Sequence, residues 1–148
     1  MILFRNMINQ VKKITLLDGY VGAGSSGIID NLDISDYLYV DNNMIKKTYR
    51  NEDIKGLAII GDSMMPYVNC CDIVLFTSLK DRQYNLIDGK YIISTANGVM
   101  LKNLSFRANG DIIISSENKA YSDEIIKASE SQDILDIIGI VVGRVLKS

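Results

Sequence analysis

The chain has 148 residues, 47% of them hydrophobic and 23% charged, with a formal net charge of −2 and no histidine. That length can bury one core without disulfides or metals, and the slight acidity excludes the overall basic surface of a protein built chiefly to hold nucleic acid. Without imidazole, mixed-ligand zinc sites and every His-dependent triad are excluded, so a hydrolase made from this sequence needs a lysine, a carboxylate, a terminal amine or metal-bound water as its base.

No apolar run approaches the roughly eighteen residues that cross a membrane. The most apolar stretch, residues 134–146, is interrupted by Asp136 and Arg144, and the N-terminus lacks the apolar core of a signal peptide. Cys70 and Cys71 are adjacent, and neighbouring cysteines rarely bridge, so a reduced, cytoplasmic setting is expected. The lysine pairs at 12–13 and 46–47 read as solvated surface.

Phe4, Met7, Ile8 and Val11 recur at helical spacing, which predicts a short amphipathic helix over residues 1–13 that needs a surface to pack on. Residues 14–18 (ITLLD) predict a strand. Residues 19–27 hold four glycines and two serines and are expected as a flexible loop able to lie extended in a cleft. From residue 35 the pattern is mainly β. SDYLYV alternates as a strand, DNNMIKKTY predicts a helical turn opened by Asp41 or Asn42, and GLAII predicts a short buried strand ending at Gly61. DIVLFTS, KYIIST, VMLKNLSF and DIIIS follow as strands, with turn signals at Asp88–Gly89, Asn97–Gly98 and Asn109–Gly110. A long apolar strand, bent at Gly139 or Gly143, closes the chain. The expected division is an arm over residues 1–34 and a mainly β domain over residues 35–148.

Two segments carry candidate chemistry. GDSMMP, residues 61–66, follows a buried strand and contains the chain's single proline. A serine on such a turn exposes its hydroxyl beside convergent backbone N–H groups, as a nucleophile with an oxyanion hole requires. Taken singly, such a serine is a turn residue or a helix cap. In VMLKNL, strand alternation sets Lys102 on one face with Met100 and Leu104. The plain reading is a lysine whose stem covers apolar surface. The functional reading is a desolvated amine, neutral often enough to take a proton from a serine.

These motifs resemble the peptidase domain of LexA, CI-type phage repressors and the UmuD mutagenesis protein. Gly61–Asp62–Ser63–Met64, then Pro66, matches that family's Gly-Asp-Ser-Met-x-Pro segment, and Met100–Leu101–Lys102–Asn103–Leu104 matches its lysine strand. Asn118 and Tyr121 match an Asn-x-x-Tyr pattern, and residues 137–142 match a terminal strand, so the likeness spans residues 14–148 in one order. One departure is Cys71, where the family has glycine. Family members that process themselves cut an Ala-Gly or Cys-Gly bond. Ala23–Gly24 is the counterpart, with Ser63 lying 39 residues after Gly24 and Lys102 lying 39 after Ser63.

The resemblance implies a LexA/signal-peptidase-like fold of several coiled β-sheets with a flexible N-terminal arm. It also implies a Ser63–Lys102 dyad, an oxyanion hole from the Asp62 and Ser63 backbones, and self-cleavage at Ala23–Gly24 without cofactor or metal. Expected partners are a second copy in a homodimer, a RecA–DNA filament as co-protease, and operator DNA only through an N-terminal domain absent from this chain. The expected role is the self-cleavage and dimerisation domain of a LexA/CI-like prophage repressor. The alternatives are a UmuD-like protein that activates a translesion polymerase and a repressor module that dimerises without cutting.

Overall fold

A computed structural model describes residues 10–22, 33–79, 86–130 and 135–147. The described strands are β1 (Val11–Val21), β2 (Ile34–Asp41), β3 (Ile54–Ile59), β4 (Ile73–Ser78), β5 (Gly89–Thr95), β6 (Gly98–Phe106), β7 (Ile112–Ser115), β8 (Glu124–Ile126) and β9 (Asp136–Val145). They join in one ladder, ordered β2-β1-β3-β4-β9-β5-β6-β7-β8. The β1–β3 pair is parallel and the other neighbours are antiparallel. The mainly β expectation holds.

The central strands are apolar on both faces, which is why they read as continuous hydrophobic runs. Leu75, Tyr91, Ile93, Ile140 and Val142 enter one core, whereas Val74, Phe76, Ile92 and Val141 enter another on the opposite side. Each fully buried side chain of this size contributes about 1.5–3 kcal/mol relative to its exposed state. Both cores lie against β6: Leu104 and Met100 meet the first, Val99 and Leu101 the second.

The chain's start differs from the sequence expectation. Residues 11–13 are strand, because Val11, Lys12 and Lys13 find ladder partners in Asp41, Val40 and Tyr39. Residues 19–21, expected as loop, extend the same strand: Tyr20 pairs with Ala58 and Val21 with Ile59, and Val21 is fully buried. Tertiary pairing there outweighs the intrinsic cost of glycine in a strand. Residues 1–9, which carry most of the proposed helix, lie outside the described residues.

Asp41 caps a short 3-10 helix over Asn42–Met44 as expected, its carboxylate accepting from the Asn43 amide at 2.8 Å. Asn97–Gly98 closes the β5–β6 hairpin, with Thr95 opposite Gly98, and Gly110 turns the chain between β6 and β7 at φ +90°. Asp88–Gly89 is not a hairpin turn. The Asp88 carboxylate instead accepts from the Phe106 amide and the Ser105 hydroxyl, tying the start of β5 to the end of β6.

The last strand bends where glycine predicts it. Register shifts occur opposite Leu75/Phe76 and Ile92/Ile93, beside Gly143 and Gly139. A Cβ on Gly143 would lie 2.3 Å from the Met44 carbonyl oxygen, so β9 and the turn after β2 approach more closely than any side chain permits.

Cys71 is the one described non-glycine residue with positive φ, +80°. Its turn is fixed on both sides: its amide donates to Ile59 O, and Asp72 O accepts from the Ile59 amide. A left-handed conformation costs a residue with a β-carbon roughly 1–2 kcal/mol, and glycine's unfolded-state entropy offsets part of that. Cys71→Gly is therefore expected to raise stability by about 0.5–1 kcal/mol, read as a higher urea midpoint with unchanged slope; a lower midpoint would show that the thiol contributes more than the backbone loses.

Candidate active site

The serine segment is held between two buried anchors. Gly61 takes φ +94° as the chain leaves β3, and a Cβ there would meet nothing within 4 Å, so backbone conformation rather than space calls for glycine. Residues 62–68 then form a tight coil, with Met65 N donating to Asp62 O at 3.2 Å and Val68 N to Met64 O at 3.1 Å; the Met65–Pro66 peptide is cis. Met64 and Val68 are buried in the core with Val21, Leu57 and Ile59. Ser63, between Gly61 and Met64, is half-buried. Among the described residues, the amides of Asp62 and Ser63 have no backbone hydrogen-bond acceptor.

Lys102 sits where alternation predicts, on the face of β6 whose neighbours Met100 and Leu104 pack on the core. Its Nζ donates to Ser116 Oγ at 2.7 Å and lies 5.4 Å from the centre of the Tyr121 ring. Burial pushes the lysine pKa below its usual range, and the negative charge of Glu124 opposes that shift in part. The amine opens on a cavity of about 420 Å³, whose lining includes Met100, Ile114, Ser116, Ser122 and Glu124.

The serine and lysine segments meet on residues 116–121, the connection that follows β7. Ser116 receives the lysine at one end. Asn118 holds the serine segment at the other: its amide donates to Ser63 O at 3.0 Å and its side chain to Asp62 O at 3.1 Å. The Tyr121 hydroxyl donates to the Asp62 carboxylate, and this hydrogen bond raises the phenol above its ordinary pKa. Among the described residues, Lys102 is bonded to Ser116 and not to Ser63.

The arm is led into the same place. Gly22 N donates to Val99 O at 2.9 Å, and Ile60 N donates to Val21 O at 3.0 Å. Gly22 adopts φ +94°, and a Cβ there would lie 2.6 Å from Ile60 O. The residue before Ala23 is thus wedged between the strand carrying Lys102 and the entrance to the serine turn. Ala23 and Gly24 themselves lie outside the described residues.

Sequence reading missed Ser116. A signal exists in the alternation: Ile112, Ile114 and Ser116 are buried in turn, and the β6–β7 register of Asn103 with Ser115 continues to Lys102 opposite Ser116. A buried serine beside an inward lysine is legible once that register is known.

A mainly β architecture with a serine turn and a desolvated lysine is what a serine peptidase without histidine requires. The model of the Peptidase S24-like family matches residues 15–142. The chain belongs to this family, the serine peptidases of the LexA, UmuD and CI self-cleaving type. Comparison with curated proteins gives no match. Among the described residues, no helix is long and apolar enough to cross a membrane.

Asn118→Ala removes the side-chain bonds to Asp62 O and from the Ala120 amide. The expected result is a loss of about 1 kcal/mol, with faster amide exchange at Met65 and Val68 than at β4 and β9. Unchanged exchange at those two amides would show that residues 116–121 do not hold the serine turn.

Proposed function

We propose that this chain cuts its own Ala23–Gly24 bond, with Ser63 as nucleophile and Lys102 as general base. The observation that carries this reading is the position of Gly22, held between Ile60 and Val99 one residue ahead of the bond. Small residues on both sides of the bond suit so narrow an approach.

In this mechanism neutral Lys102 takes the proton from Ser63 Oγ as the oxygen attacks the Ala23 carbonyl carbon. Ser116, accepting one lysine N–H, leaves the lone pair of the neutral amine available for the serine proton. The Asp62 and Ser63 amides stabilise the developing oxyanion. The protonated lysine then delivers its proton to the departing Gly24 nitrogen, and water hydrolyses the Ser63 ester to release residue 23 as a carboxylate. The substrate is tethered, so effective concentration replaces affinity, and control lies in arm conformation and lysine charge.

The role that follows is the self-cleavage and dimerisation domain of a LexA/CI-like prophage repressor. It acts as a homodimer, regulates an operator bound by the repressor's DNA-binding domain, and is induced by a RecA–DNA filament. A second reading, a module that dimerises without cutting, draws on the Lys102–Ser116 bond, which engages the amine away from Ser63.

Intact-mass spectrometry of the purified chain at pH 7 and near pH 10 separates the two. Burial lowers the lysine pKa, so the neutral fraction and the cutting rate should rise with pH and level off below the pH at which an exposed lysine titrates. Ser63→Ala should abolish the fragments, and Lys102→Ala should slow their appearance on the order of 100- to 10,000-fold. An intact wild-type chain at both pH values, with activated RecA filament present, would leave the non-cutting module.

A further inference from the structure

The turn after β2, the end of β9 and Tyr67 border a second, open cavity, about 540 Å³ in volume. Four cationic residues line it, Lys46, Lys47, Arg50 and Arg144, and no carboxylate does. In a chain of net charge −2, such a convergence is a local reversal of sign, and like charges brought together repel unless an anion lies between them. The two lysines looked like ordinary solvated surface in the sequence. Arg144, nearly a hundred residues further along, completes the group only in the fold.

The walls are fixed. Lys46 N donates to Val142 O at 2.9 Å, and Gly143 passes so near Met44 that a Cβ would overlap its carbonyl oxygen. Each arginine is oriented by a backbone acceptor: Arg50 Nε donates to Ile45 O at 3.1 Å, and Arg144 Nη1 donates to Tyr67 O while its guanidinium lies 4.4 Å from the Tyr67 ring centre. Each keeps N–H groups for a further acceptor. A planar guanidinium held in this way matches phosphate oxygens better than a free side chain does.

We propose that this cavity binds the phosphate backbone of a nucleic acid strand. An extended polyanion fits better than a single small anion, because Lys46 and Lys47 are exposed and flank the two half-buried arginines. They form a rail along an open surface, not a closed niche around one ion. Recognition by charge calls on phosphate oxygens alone, so the proposed contact is to phosphate and indifferent to sequence.

The test is fluorescence anisotropy of the full chain with a labelled, mixed-sequence single strand over a series of salt concentrations. Wild type should bind with a log–log salt slope of about −2 to −3, from about −0.7 per phosphate neutralised. Lys46→Ala with Lys47→Ala should reduce that slope by about 1.4 and weaken low-salt binding at least tenfold. The control, Lys55→Ala with Lys127→Ala, loses the same charge outside the cavity and should bind as wild type. Both pairs replace exposed or partly exposed side chains, and equal urea midpoints would confirm that the fold is intact. Equal weakening by the two pairs, or no salt-dependent binding, would overturn the proposal. Binding of inorganic pyrophosphate without binding of the strand would also overturn it, and would assign the cavity to small phosphates.

Discussion

Lys102 leaves water on a strand whose neighbouring inward residues, Met100 and Leu104, are apolar, and lost hydration disfavours its ammonium form. The surrounding structure answers that constraint. Ser116 is buried opposite the amine and accepts from it at 2.7 Å; a polar atom withdrawn from water without such a partner costs about 1–3 kcal/mol. Glu124 faces the same cavity and favours the charged form, so burial and charge pull against each other. Placed this way, the amine is neither a surface cation nor a permanently neutral group. Fuller cover over the cavity would favour the neutral amine further.

The serine segment solves the complementary problem of holding a reactive group still on a loop. Met64 and Val68 drive into the core while Ser63, just ahead of them, stays half-buried, and Asn118 grips the carbonyls of Asp62 and Ser63 from outside. With the carbonyls held on that side, the adjacent amides are left without backbone acceptors among the described residues. One side chain and its own amide thus hold the turn by two carbonyls. Ser116 and Asn118 lie two residues apart, so any shift of their loop moves the lysine and the serine turn together.

Much of this was legible in the sequence, for identifiable reasons. The two-residue alternation that placed Lys102 with Met100 and Leu104 is local, and β6 obeys it. The Asx–Gly pairs at 97–98 and 109–110 signalled turns, and Gly98 and Gly110 adopt positive φ there. What escaped depended on partners distant in sequence. Residues 19–21 looked like loop because glycine is a poor strand former, yet β3 supplies Tyr20 and Val21 with paired neighbours. β8 is only three residues long with one buried side chain, Ile126, too short to show a period. Ser116 had no motif of its own, and only the β6–β7 register gives it a role. Asp88–Gly89 misled because an Asx–Gly pair also serves wherever a carboxylate is needed to cap a neighbouring strand.

The two polar regions are joined by Tyr67, one residue past Pro66. Its ring lies under the Arg144 guanidinium, 4.4 Å away, and under Lys90 Nζ at 4.5 Å, and its carbonyl accepts from Arg144. Lys90 in turn pairs with Glu117 at 3.0 Å, and Glu117 sits between Ser116 and Asn118 in the loop that holds lysine and serine. A continuous set of contacts therefore runs from Arg144 through Tyr67 and Lys90 to the clamp. An anion drawing Arg144 forward would weaken its hold on the ring and carbonyl of Tyr67, five residues from the clamped Asp62 carbonyl. The coupling needs no large motion, since the serine turn is coiled directly onto that tyrosine. Because Tyr67 also rests against the core beside Met64 and Val68, the same packing that keeps Ser63 in place limits how far such a pull could spread.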